Sequence, residues 1–139
     1  MIILSVDYGR VRTGIAVCDK NEIIASPAGV IKEVRQDILA EKISVIANEK
    51  QAEMIVLGLP KNMDGSEGES ALNVRCFADI LREKSGLPVV FNDERGTTIT
   101  AYQYLNLTDT RGKKRKAVVD SVAAVIILED YMNYRRNRL

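Results

Sequence analysis

Met54 to Leu59 is a short apolar run rich in branched side chains and closed by Pro60. It is too short for a helix and lacks the alternation of a half-exposed strand, so it reads as a buried strand. The first thirty residues supply strands for it to join. Ile2 to Asp7, Thr13 to Cys18 and Ile23 to Ile31 read as three strands, separated by Tyr8-Gly9-Arg10 and Asp19-Lys20-Asn21, which have turn chemistry. Connections this short predict an antiparallel meander.

Between the meander and the buried strand, Leu39, Ile43, Ile46 and Ala47 recur at helical spacing and predict a helix over Gln36 to Lys50. After Pro60 comes the loop Lys61-Asn62-Met63-Asp64-Gly65. Ser66 and Glu69 then have the spacing of a capping box opening a second helix. Ala71, Val74, Phe77, Ala78 and Leu81 form its apolar stripe, and Gly86 ends it. Pro88 to Phe91 predicts a fifth strand, Thr97 to about Leu107 a third helix, and Ala117 to Met132 a last one. The nearly continuous apolar stretch Val118 to Leu128 suggests burial on more than one side of that helix.

Right-handed crossovers make the two later strands parallel to the first. The expectation is a single α/β domain spanning residues 1–139, a five-stranded mixed sheet flanked by helices. The chain is long enough to bury a core without disulfides, and 46% of its residues are hydrophobic. Cys18 and Cys76 have neither zinc-site nor redox spacing, which fits a reducing cytosol. No apolar run reaches the roughly 18 residues of a membrane span, so a cytoplasmic protein with no membrane partner is expected.

The sequence contains no histidine. That removes the commonest general base and metal ligand, together with every Ser/His or Cys/His nucleophile pair. Catalysis, if present, rests on carboxylates, Lys, Tyr or metal. Net charge is +1, but residues 111–139 carry +5 and the remainder −4. Arg111, Lys113, Lys114, Arg115 and Lys116 form the core of the basic segment, which points to a polyanionic partner or to a solvated basic tail.

Three acidic residues stand out. Asp7 ends the first strand, before a segment whose Gly9 and Gly14 allow close backbone approach to a ligand; an Asx turn also accounts for it. Glu94 follows the fifth strand, where strand ends of a parallel sheet converge on a ligand-binding crevice. Strand alternation lets only one of Asp93 and Glu94 face that crevice. Asp120 interrupts an apolar helix, in what the predicted boundary makes its first turn, where dipole stabilisation is the simplest account. Together, three carboxylates beside a cluster of cations suit a phosphodiesterase using Mg2+ or Mn2+, hard ions that prefer oxygen ligands. Backbone N–H groups at Thr97 and Thr98, and the side chains of Arg10, Arg12 or Arg95, are candidates to hold a phosphate.

Four segments carry a resemblance. They are Val6-Asp7-Tyr8-Gly9-Arg10-Val11-Arg12-Thr13-Gly14-Ile15-Ala16, Gly58 to Ser66, Asp93-Glu94-Arg95 with Thr97-Thr98, and Val119-Asp120-Ser121-Val122-Ala123-Ala124. In this order they resemble the YqgF family, also called RuvX, of pre-16S rRNA processing nucleases related to Holliday junction resolvases. The resemblance implies an RNase H-like fold, a site built from Asp7, Glu94 and Asp120, dependence on a divalent metal, and a role in maturing the 5′ end of small-subunit rRNA. It also selects Glu94 over Asp93. Two departures stand out. Gly58-Leu59-Pro60 sits where junction resolvases place a glutamate, so Glu94 would replace it. Gly96 stands where the family usually has a bulky apolar residue.

The leading expectation is a nuclease acting on structured RNA, with the basic loop Arg111 to Lys116, including Lys113, Lys114 and Arg115, guiding the backbone. The same site acting on branched DNA would call for a homodimer, since two strands must be cut symmetrically; monomer and homodimer both stay open. A nucleic-acid-binding factor of ribosome assembly or transcription that needs no hydrolysis is a third reading. An actin-type ATP-binding protein is a fourth, which a chain of one domain does not complete. Asp64 is a weaker acidic candidate, and Tyr102 and Tyr104 are candidates for base stacking or for packing.

Overall fold

The computed structural model describes residues 1–94 and 112–137. Five strands make one sheet: β1 (Ile3–Asp7), β2 (Arg12–Cys18), β3 (Ala25–Lys32), β4 (Met54–Pro60) and β5 (Val89–Glu94). Helices α1 (Gln36–Glu49) and α2 (Glu69–Ser85) precede β4 and β5, and α3 (Gly112–Asn137) closes the described chain. The order is β3-β2-β1-β4-β5. The meander pairs are antiparallel, and β1–β4 and β4–β5 are parallel. This is the mixed sheet expected from the sequence.

Strand alternation divides the apolar side chains between two cores. Leu4, Val6, Ile55 and Leu57 pack with Leu39 and Ile43 of α1 and Phe77 and Leu81 of α2. Ile3, Ala16 and Val56 pack on the opposite face with Ala124, Ile127 and Leu128 of α3. Each fully buried Leu, Ile or Phe contributes about 1.5–3 kcal/mol relative to exposure. Ser5 is a fully buried polar residue on the α3 face, and its hydroxyl donates to the Ala124 carbonyl at 2.6 Å. The sheet and α3 are thereby locked at one level.

Several local expectations change. The N-cap of α2 is Gly68, not Ser66, and no side chain caps it. Ser66 is engaged by the preceding turn: its N–H and hydroxyl both donate to Asp64 Oδ1, at 2.9 and 2.6 Å, and its Oγ accepts from the Asn62 amide. A short Asx-type turn has outcompeted the cap for the same hydroxyl. Gly86 does end α2, in the left-handed region at φ 69°, with its N–H on the Arg82 carbonyl.

The largest change concerns α3, which begins at Gly112 rather than near Ala117. The backbone of Lys113, Lys114, Arg115 and Lys116 is therefore helical and not a loop. Its buried residues, Ala123, Ala124, Ile127, Leu128, Tyr131 and Met132, fall on one stripe, with Val125 only partly buried beside it. Over residues 122–137 the buried positions lie on one side of the helix. The predicted third helix, Thr97 to Leu107, lies outside the described residues, as do Arg95, Gly96, Tyr102, Tyr104 and Arg111.

Candidate active site

Asp7 is the last residue of β1, half-buried, and lies opposite Gly14 on β2. The β1–β4 register ends at Val6 opposite Leu57, which puts Gly58 beside Asp7 on the other flank. Both neighbouring strand positions are glycines, so neither contributes a side chain beside Asp7. The turn after Asp7 is tightly drawn. Gly9 N–H donates to Thr13 Oγ1 at 3.3 Å, the fully buried Thr13 hydroxyl donates back to the Gly9 carbonyl at 3.4 Å, and a Cβ on Gly9 would stand 1.9 Å from the Arg12 carbonyl oxygen. Gly9 thus permits a close approach of the chain's own backbone. This turn sets Asp7 and places Arg10, exposed, and Arg12, half-buried, beside the strand end.

The parallel register relates Asp7 to β5. Leu57 pairs Val6 on one side and Phe91 on the other, so Asp7 is level with Asn92. Glu94, in register with Pro60, lies two residues farther along the strand and two strands across. Strand geometry puts its Cα about 12 Å from that of Asp7. Alternation also separates the two neighbouring acids. Position 93 is in register with Leu59, a member of the core under α1 and α2, and the Asp93 carboxylate stands 3.9 Å from the Lys61 ammonium. Position 94 shares the alternation of Val90, which packs in the core beneath α3.

The direction of α3 follows from two anchors. Near its C-terminus, Arg135 binds Glu22 at 2.6 Å, and Glu22 also holds the Met1 ammonium at 3.2 Å, so that end of the helix lies beside the start of β1. Eleven residues earlier, Ala124 meets Ser5. The helix therefore runs antiparallel to β1. Two residues from Ser5 to Asp7 advance about 6.6 Å, and one turn from Ala124 back to Asp120 retreats about 6 Å. The backbone at 120 is level with Asp7. It also lies in the third turn of α3 and not in its first, so dipole stabilisation at the helix N-terminus does not account for an acid there.

Two polar residues near these positions were not singled out from the sequence. Ser5 interrupts the apolar run of β1, and Asn92 follows Phe91 on the strand position level with Asp7. Ser5 is a polar break within an apolar strand and Asn92 opens the polar end of β5, signals visible in the sequence. Among the described residues no cluster of three or more His, Cys, Asp or Glu side chains forms a metal site. Thr97 and Thr98 lie outside the described residues. No described helix is long and apolar enough to cross a membrane.

The sequence profile of the RuvX family, described as Holliday junction resolvase, matches residues 1–134. A protein of Halothermothrix orenii named "Putative pre-16S rRNA nuclease" is 41% identical over 135 residues, covering 97% of this chain and 96% of its own. A relative of the same name in Clostridioides difficile is 38% identical, with the same coverage of both chains. Among solved structures, Thermus thermophilus RuvC in complex with a Holliday junction substrate superposes with a TM-score of 0.60 at 14% identity, over 99% of this chain and 96% of that one. The fowlpox virus Holliday junction resolvase gives 0.56 at 13% identity, over 96% and 99%. At such identities these two likenesses bear on the fold, which is RNase H-like.

Proposed function

The chain belongs to the RuvX family, and on that premise we propose that it is a divalent-metal-dependent endonuclease that cuts structured RNA at the 5′ end of the small-subunit rRNA precursor. Asp7, Glu94 and Asp120 are its catalytic and metal-holding carboxylates. The observation that carries this reading is the Ser5–Ala124 hydrogen bond, because it fixes the phase of α3 against β1 and makes the levels of residues 7 and 120 coincide.

The donor chemistry fits a hard cation. Three carboxylates from three elements offer only oxygen, the chain has no histidine to compete for the role, and the glycines on both flanks of Asp7 add no side chain of another donor type. Mg2+ or Mn2+ held there would supply an activated water and stabilise the leaving oxygen. The remaining work falls to the protein. Lys113, Lys114, Arg115 and Lys116 concentrate positive charge in the first turns of α3, where cations are unfavourable for the helix dipole. Their placement is better explained by a polyanion drawn to that end. Arg10 and Arg12, carried by the Gly9 turn, sit where the phosphates flanking the cut would pass, and Arg95, Thr97 and Thr98 follow β5 in sequence as further phosphate contacts. Asn92 is level with Asp7 and suits an orienting hydrogen bond to substrate or water.

The relatives' names favour pre-rRNA over branched DNA as the substrate. The test is a cleavage assay on a precursor RNA with an unprocessed 5′ end and on a four-way DNA junction, with Mn2+ or Mg2+ and with EDTA. The expected result is metal-dependent RNA cleavage that falls by three or more orders of magnitude in Asp7→Asn. Cleavage of the junction alone would reassign the substrate. Binding of both without cleavage, with Asp7→Asn still supporting growth, would replace the enzyme with an assembly factor.

A further inference from the structure

On the other side of the strand end that carries Asp7, a cleft of about 610 Å³ opens between the starts of α1 and α2. Its volume falls within the range of small-ligand sites. Tyr8, the residue after Asp7, forms one wall. Its ring is stacked on Phe77 at 4.6 Å and its hydroxyl accepts from the Gln36 amide at 3.0 Å, so the wall is already fixed. Pro60, the β4 residue in register with Glu94, and the buried Val74 add apolar surface. The polar lining is amide-rich. Gln36 has a carbonyl oxygen and a second N–H beyond its bond to Tyr8, and the Asn73 amide has no protein partner among the described residues. Arg10 and Glu69 add one charge of each sign.

This composition selects a ligand. With a carboxylate opposing a single exposed guanidinium, the cleft is poorly suited to a phosphate, which calls for a surplus of cations. Apolar flat walls with amide donors and acceptors at the rim suit a planar, neutral, polar ring. Asn and Gln pair in bidentate fashion with base edges, and unpaired bases of RNA are recognised in this way when splayed out of the stack. Asp7 and Tyr8 are consecutive residues on opposite faces of one strand end, so a strand whose phosphate lies at the carboxylates has a neighbouring base within reach of the cleft.

We infer that the Tyr8–Gln36–Asn73 cleft receives one unpaired nucleobase of the substrate strand, next to the bond that is cut. The inference rests on the nuclease reading for its substrate but is tested apart from it. Binding of a short single-stranded RNA spanning the cut site is measured in EDTA, where hydrolysis is blocked, with an abasic nucleotide moved one position at a time. One abasic position is expected to weaken binding to the wild-type chain. Asn73→Ala and Gln36→Ala should each weaken the intact RNA about fivefold to tenfold, as for one net hydrogen bond, and leave the abasic RNA unaffected. Equal losses on intact and abasic RNA, or no abasic position that matters, would overturn the cleft assignment. Base discrimination in a chain that cleaves nothing with Mn2+ would support the cleft and overturn the nuclease reading.

Discussion

Gly9→Ala tests whether the turn behind Asp7 is built as described. The added Cβ would stand 1.9 Å from the Arg12 carbonyl oxygen and 3.1 Å from its carbon. Both are backbone atoms, so no side-chain rotation relieves the clash. The turn must open by more than an ångström, and both hydrogen bonds between Gly9 and Thr13 are then lost. Each is worth about 1 kcal/mol net. Because Thr13 is fully buried, its hydroxyl would lose its partner away from water. Adding about 1–3 kcal/mol for overpacking gives an expected destabilisation of about 3–5 kcal/mol, a large share of a typical domain's 5–15 kcal/mol. The assay is urea unfolding followed by circular dichroism. Gly68→Ala serves as control, since nothing lies within 4 Å of a Cβ there, and it should cost no more than about 1 kcal/mol. A Gly9→Ala protein within about 0.5 kcal/mol of the parent would refute the geometry of the turn.

Ser5→Ala removes the buried donor to Ala124 while the carbonyl keeps its helical partner, so stability should fall by only about 1 kcal/mol; cleavage should fall by more than stability does, measured as kcat at a temperature where both proteins are folded. Glu22 gives a pH prediction. Its carboxyl is held below its ordinary value, chiefly by the hydrogen bond from Arg135. A depressed folded value contributes stability that is complete above the unfolded value and is lost as pH falls through the folded one. The Tm of Glu22→Gln should therefore lie below the parent's at neutral pH, and the gap should close as pH falls below about 4.5. A gap that is constant with pH would show that the charge is not what matters. Neutralising Lys113, Lys114, Arg115 and Lys116 together should weaken RNA binding and flatten its salt dependence by about 3–4 in log–log slope, read by titration at several salt concentrations.

The fold was legible wherever apolar periodicity was strong. The continuous run Met54 to Leu59, the meander and the helical stripes of α1 and α2 each admit one reading, and the structure follows them. Helix starts were less legible because one hydroxyl can serve two local motifs. Ser66 has capping-box spacing, but its oxygen accepts from the Asn62 amide while its O–H donates to Asp64. The start of α3 was hidden for another reason. Lys113 to Lys116 lack an apolar stripe, and a basic first turn opposes the helix dipole, so the sequence pattern starts the helix only where its apolar residues begin.

That misplaced boundary also obscured the strongest local argument for the site. With α3 starting near Ala117, Asp120 is a first-turn acid with an ordinary electrostatic explanation. With the start at Gly112 that explanation disappears, and the acid sits one turn from the contact that ties the helix to Ser5. The choice between Asp93 and Glu94 has the same character. It depends on which face of β5 looks toward α3, and a strand's alternation gives the two faces without naming them. The register does name them: Leu59 and Asp93 fall with the α1–α2 core, and Val90 and position 94 with α3. Sequence supplied the residues, whereas one serine hydroxyl supplies the shared level of positions 7 and 120, and the pairing of β4 with β5 supplies the face of position 94.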